Sequence, residues 1–294
     1  MMKESSIKID LAKGCGFCGG VRRAVQMAEE AAKDYMHVTM LGNIVHNETV
    51  VKDLEKKGVF VVDSFDAIDP RYPVLLRAHG STPAVEETLY AMGLTILDAT
   101  CPLVREIHKA IKDIEKEGRI CLIVGDHDHD EVVGIAGQVS QATIVASPDE
   151  AKKLPTIKKA GIVVQSTQTQ ANLQAVVAEL LPKVMDLRVI NTICAPSRLY
   201  QQEAERIARE NDAVLIIGSP NSANTRRLAE VVKQFNHRAM VIASANELDI
   251  DALNGVHSIG ITAGASTPDC VIQEVIEKIK RYKPKEGYHG KKFL

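Results

Sequence analysis

The stretch Leu94-Thr95-Ile96-Leu97-Asp98-Ala99-Thr100-Cys101-Pro102-Leu103-Val104-Arg105-Glu106-Ile107 decides the fold. Residues 94–97 form a short apolar run that reads as a buried strand. A brief loop then ends on a cysteine, and a helix follows with an apolar stripe of Val104, Ile107, Ile111 and Ile114. Two other cysteines have the same surroundings. Cys18 follows the apolar segment 7–11 and opens a helix striped by Val21, Ala24, Val25, Ala28, Ala31 and Ala32, while Cys194 follows the segment 187–190.

With each cysteine as origin, an arginine stands at +4 (Arg22, Arg105, Arg198) and a glycine at +24 (Gly42, Gly125, Gly218). A second strand runs into each glycine: Val38–Leu41, Ile120–Val124 and Ala213–Ile217. Later in each copy another strand leads to a polar turn and a helix. These turns are His79-Gly80-Ser81-Thr82-Pro83, Thr167-Gln168-Thr169-Gln170 and Gly264-Ala265-Ser266-Thr267-Pro268. Pro83 and Pro268 suit helix starts. The pattern predicts three α/β units, 1–98, 99–191 and 192–281, with a basic tail over 282–294. Strand–loop–helix alternation predicts mostly parallel sheets. Pseudo-threefold relation of the units would aim the cysteine loops at one shared centre, because ligands collect at the carboxyl ends of parallel strands.

Composition excludes several function classes. The 294 residues are 45% hydrophobic and 25% charged, an ordinary globular balance. No apolar run reaches the ~18 residues of a membrane span, and residues 1–6 lack the apolar core of an export signal. A cytoplasmic protein without a membrane partner is the expectation. A net charge of −2, no tryptophan, five phenylalanines and six tyrosines argue against nucleic acid as partner.

Six cysteines without an export signal point to metal or redox chemistry, or to burial as small apolar groups. Cys18, Cys101 and Cys194 form a set through the repeat; Cys15, Cys121 and Cys270 fall outside it. Cys121, on a strand, and Cys270, on a helix, are expected in the core. Three thiolates from separated segments can hold a [4Fe–4S] cluster by three of its irons, leaving one iron as a Lewis acid. Gly14-Cys15-Gly16-Phe17-Cys18-Gly19 also spells G-x-G-x-x-G, so a nicotinamide-dependent dehydrogenase is an alternative. The carboxylate expected about 20 positions on is missing, since Met40-Leu41-Gly42-Asn43 stands there.

The remaining loops carry His46, His79, His127, His129, Thr167, Gln168, Thr169, Ser222, Asn224 and Ser266 at strand ends and helix starts. Singly these are caps or turn residues. As a set in three repeats they suit a phosphate or diphosphate, because free N–H groups and the helix dipole favour an anion there. Glu131, beside His129 and Val132-Val133, is a candidate proton donor if burial raises its pKa. A divalent-metal site built with Asp126, Asp128 and Asp130 is the competing reading of that loop. His37, His108, His237, His257 and His289 match no loop of the repeat and read as structural or surface residues.

The chain resembles the 4-hydroxy-3-methylbut-2-enyl diphosphate reductases of the non-mevalonate isoprenoid pathway. The resemblance runs through Gly16-Phe-Cys18, His46-Asn47, Ala78-His79-Gly80, Asp98-Ala-Thr-Cys101-Pro, His129-x-Glu131, Thr167-Gln-Thr169, Cys194, Ser222-x-Asn224 and Thr262-Ala-Gly-Ala-Ser266. It implies a trefoil of three α/β units around a central iron–sulfur cluster held by Cys18, Cys101 and Cys194. It implies two-electron, two-proton removal of an allylic hydroxyl, giving isopentenyl and dimethylallyl diphosphates. His46, His79, His129, Ser222, Asn224 and Ser266 would bind the diphosphate, Glu131 would deliver protons, and Thr169 would hold the hydroxyl end. Ferredoxin or flavodoxin would supply electrons. A non-catalytic cluster protein, such as a redox sensor, is the other reading. The family's G-H-x-x-H-P-E loop here reads Gly125-Asp126-His127-Asp128-His129-Asp130-Glu131, and Ala223, Pro196 and Tyr200 also depart from the pattern.

Overall fold

The computed structural model describes residues 7–282; apart from Tyr282, the tail expected over 282–294, with His289, lies outside them. The chain opens with β1 (Lys8–Leu11) and α1 (Gly19–Tyr35). It continues through β2 (Val38–Leu41), α2 (Glu48–Glu55), β3 (Val59–Val62), β4 (Val74–Leu76), α3 (Pro83–Ala91) and β5 (Ile96–Asp98). Next come α4 (Pro102–Lys116), β6 (Ile120–Val124), α5 (Asp130–Ala136), β7 (Ala142–Val145), α6 (Pro148–Lys153), β8 (Ile157–Val164), α7 (Gln170–Leu180) and β9 (Val184–Val189). Last are α8 (Ala195–Glu210), β10 (Ala213–Ile217), α9 (Ala223–Phe235), β11 (Ala239–Ile242), β12 (Ser258–Ala263) and α10 (Asp269–Lys280).

The strands form three four-stranded sheets, and every neighbouring pair is parallel. The orders are β3-β2-β4-β5, β7-β6-β8-β9 and β11-β10-β12-β1. One topology is therefore written three times, as the α/β reading expects. The third copy is permuted: its fourth strand is β1, with Lys8 opposite Ser258 and Leu11 opposite Ile261. Segment 7–11, placed by its sequence neighbours in the unit 1–98, belongs instead to the sheet of residues 213–263. A parallel partner is reached through a long crossover rather than a tight hairpin, so periodicity alone could not choose the sheet. Through Cys18 and from Leu199 onward the described residues form one compact unit, with the third sheet; Gly19–Arg198 form another, with the first two.

Helices cover the sheets, so central strands are largely apolar; all five residues of β10 are buried. Helix and strand approach closely where the strand carries glycine. A Cβ at Gly161 of β8 would stand 2.6 Å from Cγ2 of Ile114 on α4, and one at Gly260 of β12 would stand 2.9 Å from Cβ of Ile207 on α8. In α1 the smallness lies on the helix, whose buried residues are Ala24, Ala28, Ala31 and Ala32. Among the described residues no helix is long and apolar enough to cross a membrane.

Candidate active site

Cys18, Cys101 and Cys194 share one backbone arrangement. In each sheet a carbonyl two residues beyond the third strand accepts the amide of the cysteine that follows the fourth strand. Ala78 O takes Cys101 N–H at 3.0 Å, Ser166 O takes Cys194 N–H at 3.0 Å, and Ala265 O takes Cys18 N–H at 3.1 Å. A helix of 17, 15 or 16 residues starts directly after Cys18, Cys101 and Cys194 respectively. All three are half-buried, and none is in a disulfide. A helix N-terminus favours thiolate over thiol. At Cys194, Ser197 N–H lies 3.4 Å and Ser197 Oγ 3.0 Å from Sγ. Cysteines so placed, at the starts of three helices and outside any disulfide, suit thiolate ligation of an iron–sulfur cluster.

The other cysteines differ. Cys15 packs against apolar residues of its unit, and burial, with Asp269 close by, pushes its thiol up to about 11. Cys121 is buried in β6, as expected. Cys270 is exposed, contrary to the expectation of a core position. The apolar stripe of α10, with Val271, Ile272, Val275, Ile276 and Ile279 buried, takes the inward face.

The G-x-G-x-x-G segment has no room to cradle a pyrophosphate. Gly14 (φ +74°) lies under the Tyr200 ring, whose Cε1 would be 3.0 Å from an added Cβ. Gly16 (φ +92°) faces Oδ1 of Asp269 at 2.9 Å by the same measure, and its carbonyl accepts the Tyr200 hydroxyl at 3.1 Å. A carboxylate where the second glycine should admit a phosphate argues against a dinucleotide.

Within Gly19–Arg198 the loops after β2, β4 and β6 bring His46, His79 and His129 together. One ring nitrogen from each lies within 4.8 Å of the others, and ring centroids are 4.8 to 5.6 Å apart. Nδ1 of His79 is buried without a partner. Burial, then His46, His129 and Arg77, hold its imidazole well below the usual histidine range, so it is neutral at pH 7. Asp130 borders the trio, its Oδ2 2.7 Å from Arg77 Nη1 and 3.4 Å from His46 Nε2. His129 Nδ1 also caps α5, accepting Glu131 N–H at 3.2 Å.

The acidic loop disperses its other side chains. His127 Nε2 pairs with Glu150 at 2.9 Å, while Asp130 turns to Arg77. Among the described residues only the three histidines put three metal-capable groups within mutual reach, so the loop forms no separate divalent-metal site. His108 is half-buried on α4 against Gly80, and its Nε2 is a buried atom without a partner.

Ser222, Asn224 and Ser266 meet in the other compact unit, at the start of α9. Ser222 Oγ accepts Thr225 N–H at 3.5 Å and lies 3.4 Å from Ser266 Oγ. Asn224 is 4% exposed, yet neither carboxamide atom has a partner. An unsatisfied buried amide costs about 1–3 kcal/mol, and is expected where a ligand completes the bonding. A Cβ at Gly264 would stand 2.3 Å from Thr225 Oγ1, so this turn accepts only glycine without rearrangement.

Glu131 is 2% exposed, and burial raises its carboxyl above the usual range. Its oxygens are held by one residue that sequence reading missed. Ser166 N–H donates to Oε1 at 2.5 Å and Ser166 O–H to Oε2 at 2.7 Å. Thr169 instead caps α7, its Oγ1 accepting Asn172 N–H at 3.1 Å. Ser166 sits one place before the Thr167-Gln168-Thr169 turn; only that proximity could have flagged it.

The LytB protein family matches residues 9–280. The 4-hydroxy-3-methylbut-2-enyl diphosphate reductase of Geobacter sulfurreducens is 43% identical over 281 residues, spanning 95% of this chain and 99% of that one. A solved E-1-hydroxy-2-methyl-but-2-enyl-4-diphosphate reductase from Plasmodium falciparum is similar with a TM-score of 0.87 at 28% identity, over 92% of this chain and 87% of that one. A solved (E)-4-hydroxy-3-methyl-but-2-enyl diphosphate reductase, described as the terminal enzyme of the non-mevalonate pathway, has a TM-score of 0.68 at 38% identity, covering 94% and 100%. With the match running through both histidine and cysteine loops, the chain belongs to the LytB protein family.

Proposed function

We infer that this chain is an oxidoreductase that reduces 4-hydroxy-3-methylbut-2-enyl diphosphate to isopentenyl and dimethylallyl diphosphates. The observation that carries the reading is the 43% identity to a reductase of that name, extending over 95% of this chain. The net change consumes two electrons and two protons, breaks the allylic C–O bond, forms a C–H bond and releases water. We propose that Cys18, Cys101 and Cys194 hold a [4Fe–4S] cluster. Such a cluster supplies the electrons and a Lewis-acidic iron.

The chain's own residues then divide the work. His46, His79, His129, Ser222, Asn224 and Ser266 bind the diphosphate. They offer imidazole, hydroxyl and amide donors, and no lysine. The unpartnered Nδ1 of His79 and carboxamide of Asn224 support this, because the ligand completes bonds the protein leaves open. Thr169 holds the hydroxyl end. Glu131 is the proton donor: hydroxide is a poor leaving group, so the oxygen must depart as water. Its burial, which raises the pKa, supports the role, since desolvation favours the protonated carboxyl. Ferredoxin or flavodoxin delivers the electrons in the cytoplasm.

Anaerobic enzyme, reduced chemically and mixed with substrate in a single turnover, tests the reading without the donor protein. Glu131→Gln is expected to keep its iron and lose about 10²–10⁴-fold in rate. Wild-type protein that carries iron but yields no hydrocarbon diphosphate would instead be a redox sensor. A near-wild-type rate in Glu131→Gln would remove this carboxyl as the proton source.

A further inference from the structure

The carboxyl group of a glutamate turns easily about its last side-chain bond, whose torsion is broad and two-fold. An acid that must present one oxygen to a substrate therefore has to be held, and Glu131 is held by a single residue. Oε1 accepts the amide of Ser166 at 2.5 Å and Oε2 accepts its hydroxyl at 2.7 Å. Both bonds are buried, so water does not compete for them. The carbonyl of Ser166 accepts Cys194 N–H at 3.0 Å. Its neighbours extend the link. Oε1 of Gln165 accepts Asp126 N–H at 2.9 Å, and Val164 N–H donates to Thr192 Oγ1 at 2.7 Å. Residues 164–166 thus bond on one side to the loop that carries Glu131 and on the other to the segment that ends in Cys194.

We propose that Ser166 is a positioning residue: its amide and hydroxyl fix the plane of the Glu131 carboxyl, and its carbonyl keeps that carboxyl in register with the Cys194 loop. This rests on the reading of Glu131 as the proton donor. Each carboxyl oxygen engaged by Ser166 retains a second lone-pair direction, so the clamp leaves the acid able to face substrate. Thr169 makes no bond to the Glu131 carboxyl; its Oγ1 accepts Asn172 N–H at the start of α7.

The test compares Ser166→Ala, Ser166→Thr, Glu131→Gln and the Ser166→Ala/Glu131→Gln double variant, prepared anaerobically with iron counted in each. Ser166→Ala is expected to lower single-turnover kcat by ~10- to 100-fold, the effect of leaving one buried carboxyl oxygen without its hydrogen bond, with KM and iron unchanged. Ser166→Thr restores the hydroxyl and the rate. In the Glu131→Gln background the alanine change costs about twofold or less, since no acid remains to position. A readout independent of turnover is the infrared carbonyl stretch of protonated Glu131, identified by its disappearance in Glu131→Gln; it shifts in Ser166→Ala and returns in Ser166→Thr. An unchanged rate and stretch in Ser166→Ala, with Glu131→Gln impaired, overturns the positioning role and leaves the acid in place. Iron lost from Ser166→Ala at full activity per cluster overturns it too, assigning Ser166 to support of Cys194 alone. Full activity in Glu131→Gln removes the acid, and the positioning role with it.

Discussion

Arg77 and Asp130 close a 2.7 Å ion pair at the edge of the three-histidine cluster. The pair places a cation and an anion together beside the proposed anion site: Asp130 neutralises the Arg77 guanidinium near His79 and lies 3.4 Å from His46. Asp130→Asn is expected to lower the KM for diphosphate substrate by about two- to tenfold at low salt, with kcat unchanged. The gain shrinks as salt rises, because the effect is Coulombic and partly exposed. Initial rates at two ionic strengths decide it, and a raised KM would mean the carboxylate helps to place the histidines.

Iron content separates the cysteines. Cys18→Ser, Cys101→Ser and Cys194→Ser are each expected to lose most of the cluster under anaerobic reconstitution, whereas Cys15→Ser keeps it. The shared carbonyl–amide bond includes the first three and omits Cys15, whose thiol is held protonated. Full iron in Cys101→Ser beside loss in Cys15→Ser would reverse the assignment.

Asn224 makes a sharper case than an ordinary binding residue, because both atoms of its carboxamide are buried without a hydrogen-bond partner. Asn224→Ala is expected to raise KM by ~10- to 100-fold while leaving thermal stability equal or about 1 kcal/mol higher. Most buried substitutions cost stability, so a large drop in Tm would show that the amide bonds within the fold.

Acid should loosen the fold through its histidines. His108 is held down to about 4, chiefly by burial, and His79 well below its ordinary 6.5. Both take up protons more readily unfolded. Their contribution is therefore complete above pH ~6.5 and is lost as pH falls from there towards their folded values. For half-buried His108 the loss is about 2 kcal/mol after allowance for solvent. Urea melts between pH 4.5 and 7 are expected to show a shallower acid slope in His108→Gln; an unchanged slope would place the titration elsewhere.

Three copies of one strand–cysteine–helix sentence were legible because a buried parallel strand and an amphipathic helix each write their geometry into local spacing. Gly42, Gly125 and Gly218 mark the same turn, and four residues on stand His46, His129 and Ser222, which the structure finds beside further residues of the expected anion site. What escaped reading was non-local. The partner of residues 7–11 lies at the other end of the chain, and no periodicity names it. Ser166 escaped because its role depends on a carboxylate 35 positions away. Cys270 was misplaced because a cysteine one step off an apolar stripe looks like a member of it.

The permuted third sheet sets an order of events during synthesis. Lys8 leaves the ribosome first, yet its strand partner around Ser258 is made about 250 residues later. At ~5–20 residues per second that is tens of seconds. Throughout that interval the amide of Cys18 lacks the Ala265 carbonyl that fixes it in the finished protein. A ribosome that stalls or a message cut short before β12 therefore leaves Cys18 without the backbone bond that Cys101 and Cys194 can already make. On the proposal that the three cysteines hold a cluster, its loading waits for the end of the chain, and a prematurely ended product is expected to bind less iron than the full chain.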